Sequence, residues 1–209
     1  MRLYDYWRST AAYRVRIALH FKGLEFEQIP IDLRADGQRA EDYLAINPQG
    51  LVPYFEDGDL AIGQSLAIID YLEETHPEPP VLPGDPKARA RIRAVAQTIA
   101  SDIHPLNNLR VLQYLERDLG CDQLKRMIWY HRWVADGFKA IEVTLKESAG
   151  EFCCGDEPTL ADICLAPQVY NAKRYEVDLG PFPTIRTIND RCQELEAFAK
   201  AAPQHQPGS

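Results

Sequence analysis

The chain has 209 residues, 45% of them hydrophobic and 26% charged, with a formal net charge of −8. That is the balance of a folded protein with room for two modest cores, which excludes a disordered chain. Residues 1–84 carry seven Lys/Arg against fourteen Asp/Glu and residues 85–209 carry sixteen against seventeen; with no basic stripe to meet a phosphate backbone, nucleic-acid binding is excluded. No apolar run reaches the roughly 18–20 residues that cross a bilayer. The start, Met1-Arg2-Leu3-Tyr4-Asp5-Tyr6-Trp7, is charged and aromatic where a signal peptide is smoothly apolar. A cytoplasmic protein with no membrane partner is expected. The five cysteines (Cys121, Cys153, Cys154, Cys164 and Cys192) have no C-x-x-C spacing and the five histidines no H-E-x-x-H. Neither a disulfide scaffold, a zinc site nor a dithiol redox motif is expected.

The first eighty residues alternate in period. Residues 2–7 read as a strand and residues 13–22 as a helix, ended by Gly23. Residues 26–30 are strand-like, and residues 38–46 form a short helix closed by Asn47-Pro48. Residues 53–56 and 60–62 read as two strands joined by the turn Asp57-Gly58-Asp59. A helix over residues 65–75 has Ile68, Ile69 and Leu72 on one face. The order β-α-β-α-β-β-α implies a small mixed sheet covered by helices. Residues 76–85 hold Pro77, Pro79, Pro80, Pro83 and Gly84 and read as an interdomain linker.

Beyond the linker the pattern is helical. Pro86 opens a long helix predicted to run to about residue 116, kinked at Pro105, with Ile92, Val95, Ile99, Leu106 and Leu112 in its core. A second long helix is predicted over residues 122–147, and Thr159-Leu160-Ala161-Asp162 reads as a capping box. A last helix is predicted over residues 183–199, followed by a loose tail over residues 203–209. The fold class is therefore an α/β domain over residues 1–84 followed by an all-helical one over residues 86–209.

Three junctions carry chemistry. Ser9 and Thr10 stand where the first helix begins: either one caps the helix, or the free N–H groups and dipole there stabilise an anion such as a thiolate. Val52-Pro53 is either an ordinary edge-strand proline or a cis pair that turns the Val52 N–H and C=O outward to pair with an added strand. Gln64-Ser65 opens the third helix, where the N–H groups and the Ser65 hydroxyl can hold a carboxylate.

Thiolate cradle, pairing edge and carboxylate cradle, in that order, resemble the glutathione site of the glutathione transferases. The run Arg8-Ser9-Thr10-Ala11-Ala12-Tyr13-Arg14-Val15-Arg16-Ile17-Ala18-Leu19 is similar to the zeta-class signature. Asn47-Pro48, Gln64-Ser65-Leu66-Ala67-Ile68-Ile69, Gly155-Asp156-Glu157-Pro158-Thr159-Leu160-Ala161-Asp162, Pro167-Gln168-Val169 and Val177-Asp178-Leu179 continue the resemblance over nearly the whole chain. It implies a thioredoxin-like domain followed by a helical bundle, a homodimer, glutathione as cofactor, and cis–trans isomerisation of a maleyl-type dicarboxylate such as maleylacetoacetate or maleylpyruvate. Carried over by position, Ser9 meets the glutathione sulfur, with Thr10 beside it. Val52 and Pro53 form the pairing edge, Gln64 and Ser65 hold the γ-glutamyl carboxylate, and Gln49 neighbours them. Asp102, His104 and Asn108 are placed as contacts from the second domain or across the dimer.

The family's cysteine in this signature is Ala11 here, and its second serine is Thr10. A cysteine-centred reaction has no nucleophile at this position, whereas isomerisation needs only the sulfur of glutathione. Arg8 and Arg174 are the expected partners of the two substrate carboxylates, since arginine binds them bidentately; a surface ion pair is the alternative role for Arg174. Arg14 and Arg16 read as structural, and Tyr13 as core. General glutathione transfer or glutathione-dependent dehalogenation would use the same thiolate. A non-catalytic binding protein of this fold would be expected to have lost Ser9, Val52-Pro53 or Gln64-Ser65, and none is lost.

Overall fold

The computed structural model describes all of residues 1–209 and separates them into two compact units, residues 1–81 with 194–209, and residues 82–193. In the first unit, strand β1 (Arg2–Asp5) leads through a short loop into helix α1 (Thr10–Phe21), and strand β2 (Glu27–Pro30) returns parallel to β1 with Leu3 beside Gln28. A crossover helix is what a parallel pair requires. Two 3-10 turns, Leu33–Ala35 and Gly37–Arg39, and helix α2 (Glu41–Ile46) precede the hairpin of β3 (Tyr54–Asp57) and β4 (Leu60–Gly63). Gly58 makes that turn at φ +62°, a conformation costly for other residues. Strand β3 runs antiparallel to β1, Leu3 opposite Phe55, so the sheet order is β2-β1-β3-β4, and helix α3 (Ser65–Thr75) follows.

Helix α1 is buried continuously from Ala12 to Leu19, and Leu3, Phe55, Ile68, Ile69 and Leu72 complete the core against it. Because no face of that stretch meets water, its arginines must be satisfied inside. Lys22, at the end of α1, is equally enclosed and donates to Glu73 Oε2 and His76 O, both at 2.7 Å, and to Pro79 O at 3.0 Å. The helix is thereby tied to the start of the proline-rich stretch 76–85.

The second unit contains α4 (Pro86–Gln97), α5 (Leu109–Arg117), α6 (Gln123–Ser148), α7 (Leu160–Arg174) and nearly all of α8 (Pro183–Glu194). Every residue of α7 from Leu160 to Val169 is buried, which marks it as the core helix of the unit. Its N-terminus carries the expected capping box, with Asp162 accepting from Thr159 N–H at 2.8 Å and also from Cys153 N–H at 2.9 Å. No helix of the chain is long and apolar enough to cross a membrane.

Three expectations are corrected. The single kinked helix over residues 86–116 is α4 and α5, separated by a π-helical turn at Thr98–Ile103 and a 3-10 turn at His104–Asn107. Pro105 cannot donate a backbone hydrogen bond there, and the widened turn drives Ile103 against α6, where only Gly137 leaves room: a Cβ at Gly137 would stand 2.3 Å from Ile103 Cγ1. The helix over residues 183–199 is divided at Leu195, extended at φ −79° and ψ 130°, and helix α9 (Glu196–Ala201) packs on α1 by burying Phe198 and Ala201. That break is tertiary, since no glycine or proline lies in it. Finally, the tail is not loose. Pro203–His205 forms a 3-10 turn and Gln206 is buried, its Nε2 donating to Lys200 O at 2.7 Å and Ala202 O at 3.0 Å. Residues 194–209 pack with the first unit.

Candidate active site

Strand β1 ends at Asp5, and the chain turns through Tyr6, Trp7 and Arg8 to reach α1. Ser9 N–H donates to Tyr6 O at 2.7 Å, closing the turn, while Ser9 Oγ accepts from Ala12 N–H at 3.2 Å as the N-cap. Tyr13 N–H donates to Ser9 O at 2.8 Å. The N–H groups of Thr10 and Ala11 have no partner in the protein and face outward at the positive end of a 12-residue helix. Capping does not preclude anion binding: the cap uses Ser9 Oγ as an acceptor and leaves its O–H free to donate. Ser9 is half-buried and Thr10 only 5% exposed, so Ser9 is the more accessible hydroxyl.

Arg8 is half-buried. Its guanidinium lies 4.3 Å from the centre of the Trp7 ring, and Nη2 donates to Tyr6 Oη at 3.3 Å. Its Nε is buried without a partner, and no carboxylate pairs with it. A cation held by an aromatic ring and a phenol hydroxyl, and balanced by no acid, keeps its charge available to an anionic ligand.

The second junction is built with little slack. Asn47 Nδ2 and Tyr43 Oη both donate to Leu51 O, at 2.7 and 2.6 Å. Gly50 lies at φ +59°, where an added Cβ would meet Gln38 O at 2.9 Å. Burial pushes the Tyr43 phenol up to about 12, so it remains a donor at neutral pH. The Val52–Pro53 bond is cis, Pro53 is buried, and the Val52 N–H and C=O make no hydrogen bond within the protein.

At the third junction Gln64 has φ +69°, a left-handed conformation that costs a non-glycine residue on the order of 1–3 kcal/mol. Its Nε2 donates to Gln49 Oε1 at 3.1 Å, so two of the expected residues meet. Ser65, the first residue of α3, is 6% exposed and accepts from Arg14 Nη1 at 3.3 Å. Arg14 thus links α1 to the start of α3, a structural role as expected, but one whose partner Ser65 the sequence did not name. The available signal was an arginine inside an otherwise apolar, fully buried helix, which must serve a partner.

The remaining expected residues lie in the second unit. Asp102 is exposed in the π-helical turn, His104 is half-buried in the 3-10 turn, and Asn108 caps α5 by accepting from Arg110 N–H at 3.1 Å. Arg174 is exposed at the end of α7 with its guanidinium 4.5 Å from the centre of the Tyr175 ring and no ion pair. Tyr175 is itself fixed, its ring 4.2 Å from that of Tyr130 and its carbonyl 2.7 Å from His131 Nε2. Arg174 therefore presents an unneutralised charge from a rigid stack.

None of the five cysteines forms a disulfide, and no group of three His, Cys, Asp or Glu could hold a metal. Burial, with Asp162 nearby, raises the Cys153 thiol well above its ordinary range and pushes Cys154 up to about 11. Neither supplies a thiolate at neutral pH.

Comparison with known proteins places this geometry. Residues 3–80 match the N-terminal domain of glutathione S-transferases and residues 129–201 their C-terminal domain. A probable maleylacetoacetate isomerase of Vibrio cholerae is 47% identical over 207 residues, covering 98% of this chain and 96% of that one. The holo structure of a bacterial zeta-class maleylpyruvate isomerase superposes with TM-score 0.98 at 44% identity, over 100% of both chains. A maleylacetoacetate isomerase of Anaeromyxobacter dehalogenans with bound dicarboxyethyl glutathione and citrate superposes with TM-score 0.88 at 41% identity, covering 99% of this chain and 96% of that one.

Proposed function

Because the chain belongs to the glutathione S-transferase family, we propose that it is a glutathione-dependent cis–trans isomerase of a maleyl-type diacid, maleylacetoacetate or maleylpyruvate. The observation that carries this reading is the uncompensated Arg8 guanidinium directly beside Ser9 and the free N–H groups of α1. Conjugation to a neutral substrate needs no such charge; a diacid does.

The residues of the first unit fit glutathione. Val52 offers a free N–H and C=O to the cysteinyl backbone, and the start of α3, with Ser65 and Gln64, offers donors to the γ-glutamyl carboxylate. Gln49, bonded to Gln64, holds that side chain in place. Bound glutathione supplies a thiolate whose reversible addition removes the double-bond character that prevents rotation. Ser9 O–H and the Thr10 and Ala11 N–H groups stabilise negative charge on that sulfur and lower the proton affinity of the thiol. Arg8 grips a substrate carboxylate, and the unpaired charge of Arg174 is the second candidate for that role. The dicarboxyethyl glutathione bound by the Anaeromyxobacter relative joins a four-carbon diacid group to glutathione, and supports this reading.

Tyr114, Leu119, Leu124 and Ile128 expose 55–69% of their surfaces in the second unit. We assign these exposed apolar side chains to a homodimer contact, to be checked by light scattering. Five cysteines without a disulfide suit a reducing compartment, so the cytoplasm is the assigned location.

The test is an ultraviolet assay of maleylacetoacetate and maleylpyruvate side by side, with and without glutathione. Glutathione-dependent isomerisation of at least one is expected. Conjugation of a chloro-aromatic with no isomerisation of either diacid would replace this reading with a general transferase.

A further inference from the structure

A chain of hydrogen bonds joins the C-terminal tail to the loop that carries Ser9. Gln206 Oε1 accepts from Gln28 Nε2 at 3.0 Å, and the same Gln28 amide donates to Asp5 Oδ2 at 2.9 Å. Asp5 is gripped through both oxygens by Arg16 Nη1, at 2.8 and 2.7 Å, in a pair whose side chains are 4% and 0% exposed. Arg16 turns its other two nitrogens to backbone: Nη2 donates to Trp7 O and Nε to Ala201 O, each at 3.0 Å. Trp7 O lies two residues before Ser9. The tail also backs this loop directly, since a Cβ built at Gly208 would stand 3.8 Å from Trp7 Cδ1, and the Trp7 ring is the one on which Arg8 stacks. Tyr13 Oη adds a further tie, donating to Phe198 O at 3.3 Å.

We propose that the tail is a positioning element of the active site, in which Gln206, through Gln28, Asp5 and Arg16, fixes the Trp7–Ser9 loop and with it the hydroxyl that meets the glutathione sulfur. Packing of α9 against α1 would not by itself need a buried glutamine. Gln206 uses its amide N–H groups to lock the tail onto Lys200 O and Ala202 O, and its carbonyl to hold Gln28. In this enclosed setting each bond constrains the next. Removing the Gln206 acceptor leaves the Gln28 amide anchored by Asp5 alone, so its donation to Asp5 Oδ2 loosens. Asp5 is then less firmly fixed, and the Arg16 grip on Trp7 O relaxes. Small displacements of a catalytic hydroxyl are costly because stabilisation of an anion depends on hydrogen-bond geometry.

The proposal rests on Ser9 stabilising the thiolate, and the experiment separates the two. Full-length Gln206→Met keeps bulk but removes both hydrogen-bonding functions, and Gln28→Leu cuts the chain at its next link. Three quantities are read for each: the pKa of enzyme-bound glutathione from the ultraviolet absorbance of its thiolate, kcat against KM for glutathione, and the melting temperature. Expected for each single variant is a bound-thiol pKa above that of the parent and a fall in kcat of roughly 3- to 30-fold. KM for glutathione stays within about 2-fold, because Val52 and Ser65 are untouched. The double variant should be no worse than the poorer single one, as links in one chain are not additive. A parent-like kcat and thiol pKa in both single variants, with or without a lower melting temperature, would leave the tail a purely structural strap and overturn the proposal. Ser9→Ala is measured alongside. If it raises the thiol pKa while the tail variants do not, only the tail's role fails; if it leaves that pKa unchanged, the assignment of Ser9 itself fails.

Discussion

Arg14 Nη1 donates to Ser65 Oγ at 3.3 Å, so the hydroxyl at the start of α3 is already used as an acceptor. Its own proton is therefore turned toward another acceptor, which suits a carboxylate better than a freely rotating serine would. Ser65→Ala should weaken glutathione binding by about 1–2 kcal/mol, the worth of one hydrogen bond to a charged group. Cys153→Ser, Cys154→Ser and Cys164→Ser should leave affinity nearly intact. Calorimetric titration checks both statements, and unchanged affinity in Ser65→Ala would remove the carboxylate role from Ser65.

Ser9→Ala should lower turnover by roughly 10²-fold, as loss of one donor to a reacting anion does. It also removes the cap on Ala12 N–H, worth about 1 kcal/mol of stability. Thr10→Ala should do less, since Thr10 is 5% exposed and its backbone N–H, the part facing the anion, survives the change. Steady-state rates at pH 7 with melting curves on the same samples separate catalysis from folding.

Glu142 on α6 accepts from Thr184 N–H and Ile185 N–H, both at 3.0 Å, at the first turn of α8. Burial alone would raise its pKa, but the hydrogen bonds from Ile185 and Thr184 prevail and hold the carboxyl below the ordinary glutamate value of 4.5. A carboxylate with a depressed folded-state pKa contributes stability above its unfolded pKa and loses it as pH falls through the folded one. Glu142→Gln should thus be less stable than the parent at pH 7 by about 1.5–3 kcal/mol. The gap should close as pH is lowered below about 4.5. Urea denaturation of both proteins at several pH values measures this, and a gap constant with pH would show that packing rather than charge is at work.

Gly137→Ala should destabilise the second unit by about 1–3 kcal/mol, because the new methyl would stand 2.3 Å from Ile103 Cγ1 and 2.4 Å from Cδ1. In an Ile103→Ala background both clashing atoms are gone, and the same change should cost almost nothing. A double-mutant cycle by thermal melting reads the coupling; equal costs in the two backgrounds would place the strain elsewhere.

How much of this was legible in the sequence depends on whether the cause was local. Helix α3 was read with its observed bounds because Ser65 opens it and Ile68, Ile69 and Leu72 recur at helical spacing. The capping box at Thr159 and Asp162 is four contiguous residues and was equally plain. What escaped was set by partners distant in the chain. The break at Leu195 follows from where Phe198 and Ala201 pack on α1, and the ordered tail follows from Gln206 meeting Gln28, 178 residues earlier. The π-helical turn depends on the space that Gly137 leaves on another helix. In the candidate site, Ser9, Val52 and Gln64 were legible because each marks an element boundary. Arg14 was not, because its partner Ser65 lies 51 residues away and only burial makes that pairing obligatory.

The reaction class turns on Arg8 and Arg174. Each guanidinium lies against an aromatic ring, at 4.3 Å from the Trp7 centre and 4.5 Å from the Tyr175 centre, and neither forms an ion pair. Two unneutralised arginines in a chain of net charge −8 are poor surface decoration and good carboxylate partners. Met in place of either keeps some bulk on the ring and removes only the charge and its donors. The damage should then appear in kcat/KM for the diacid, by about 1.5–3 kcal/mol for one charge-assisted contact, or roughly 10- to 150-fold. Glutathione affinity and slow conjugation of a neutral chloro-aromatic should change far less, since neither uses that charge. All three quantities are measured on both variants. If diacid isomerisation survives while conjugation falls, the arginines serve glutathione rather than the substrate, and a general transferase becomes the better description.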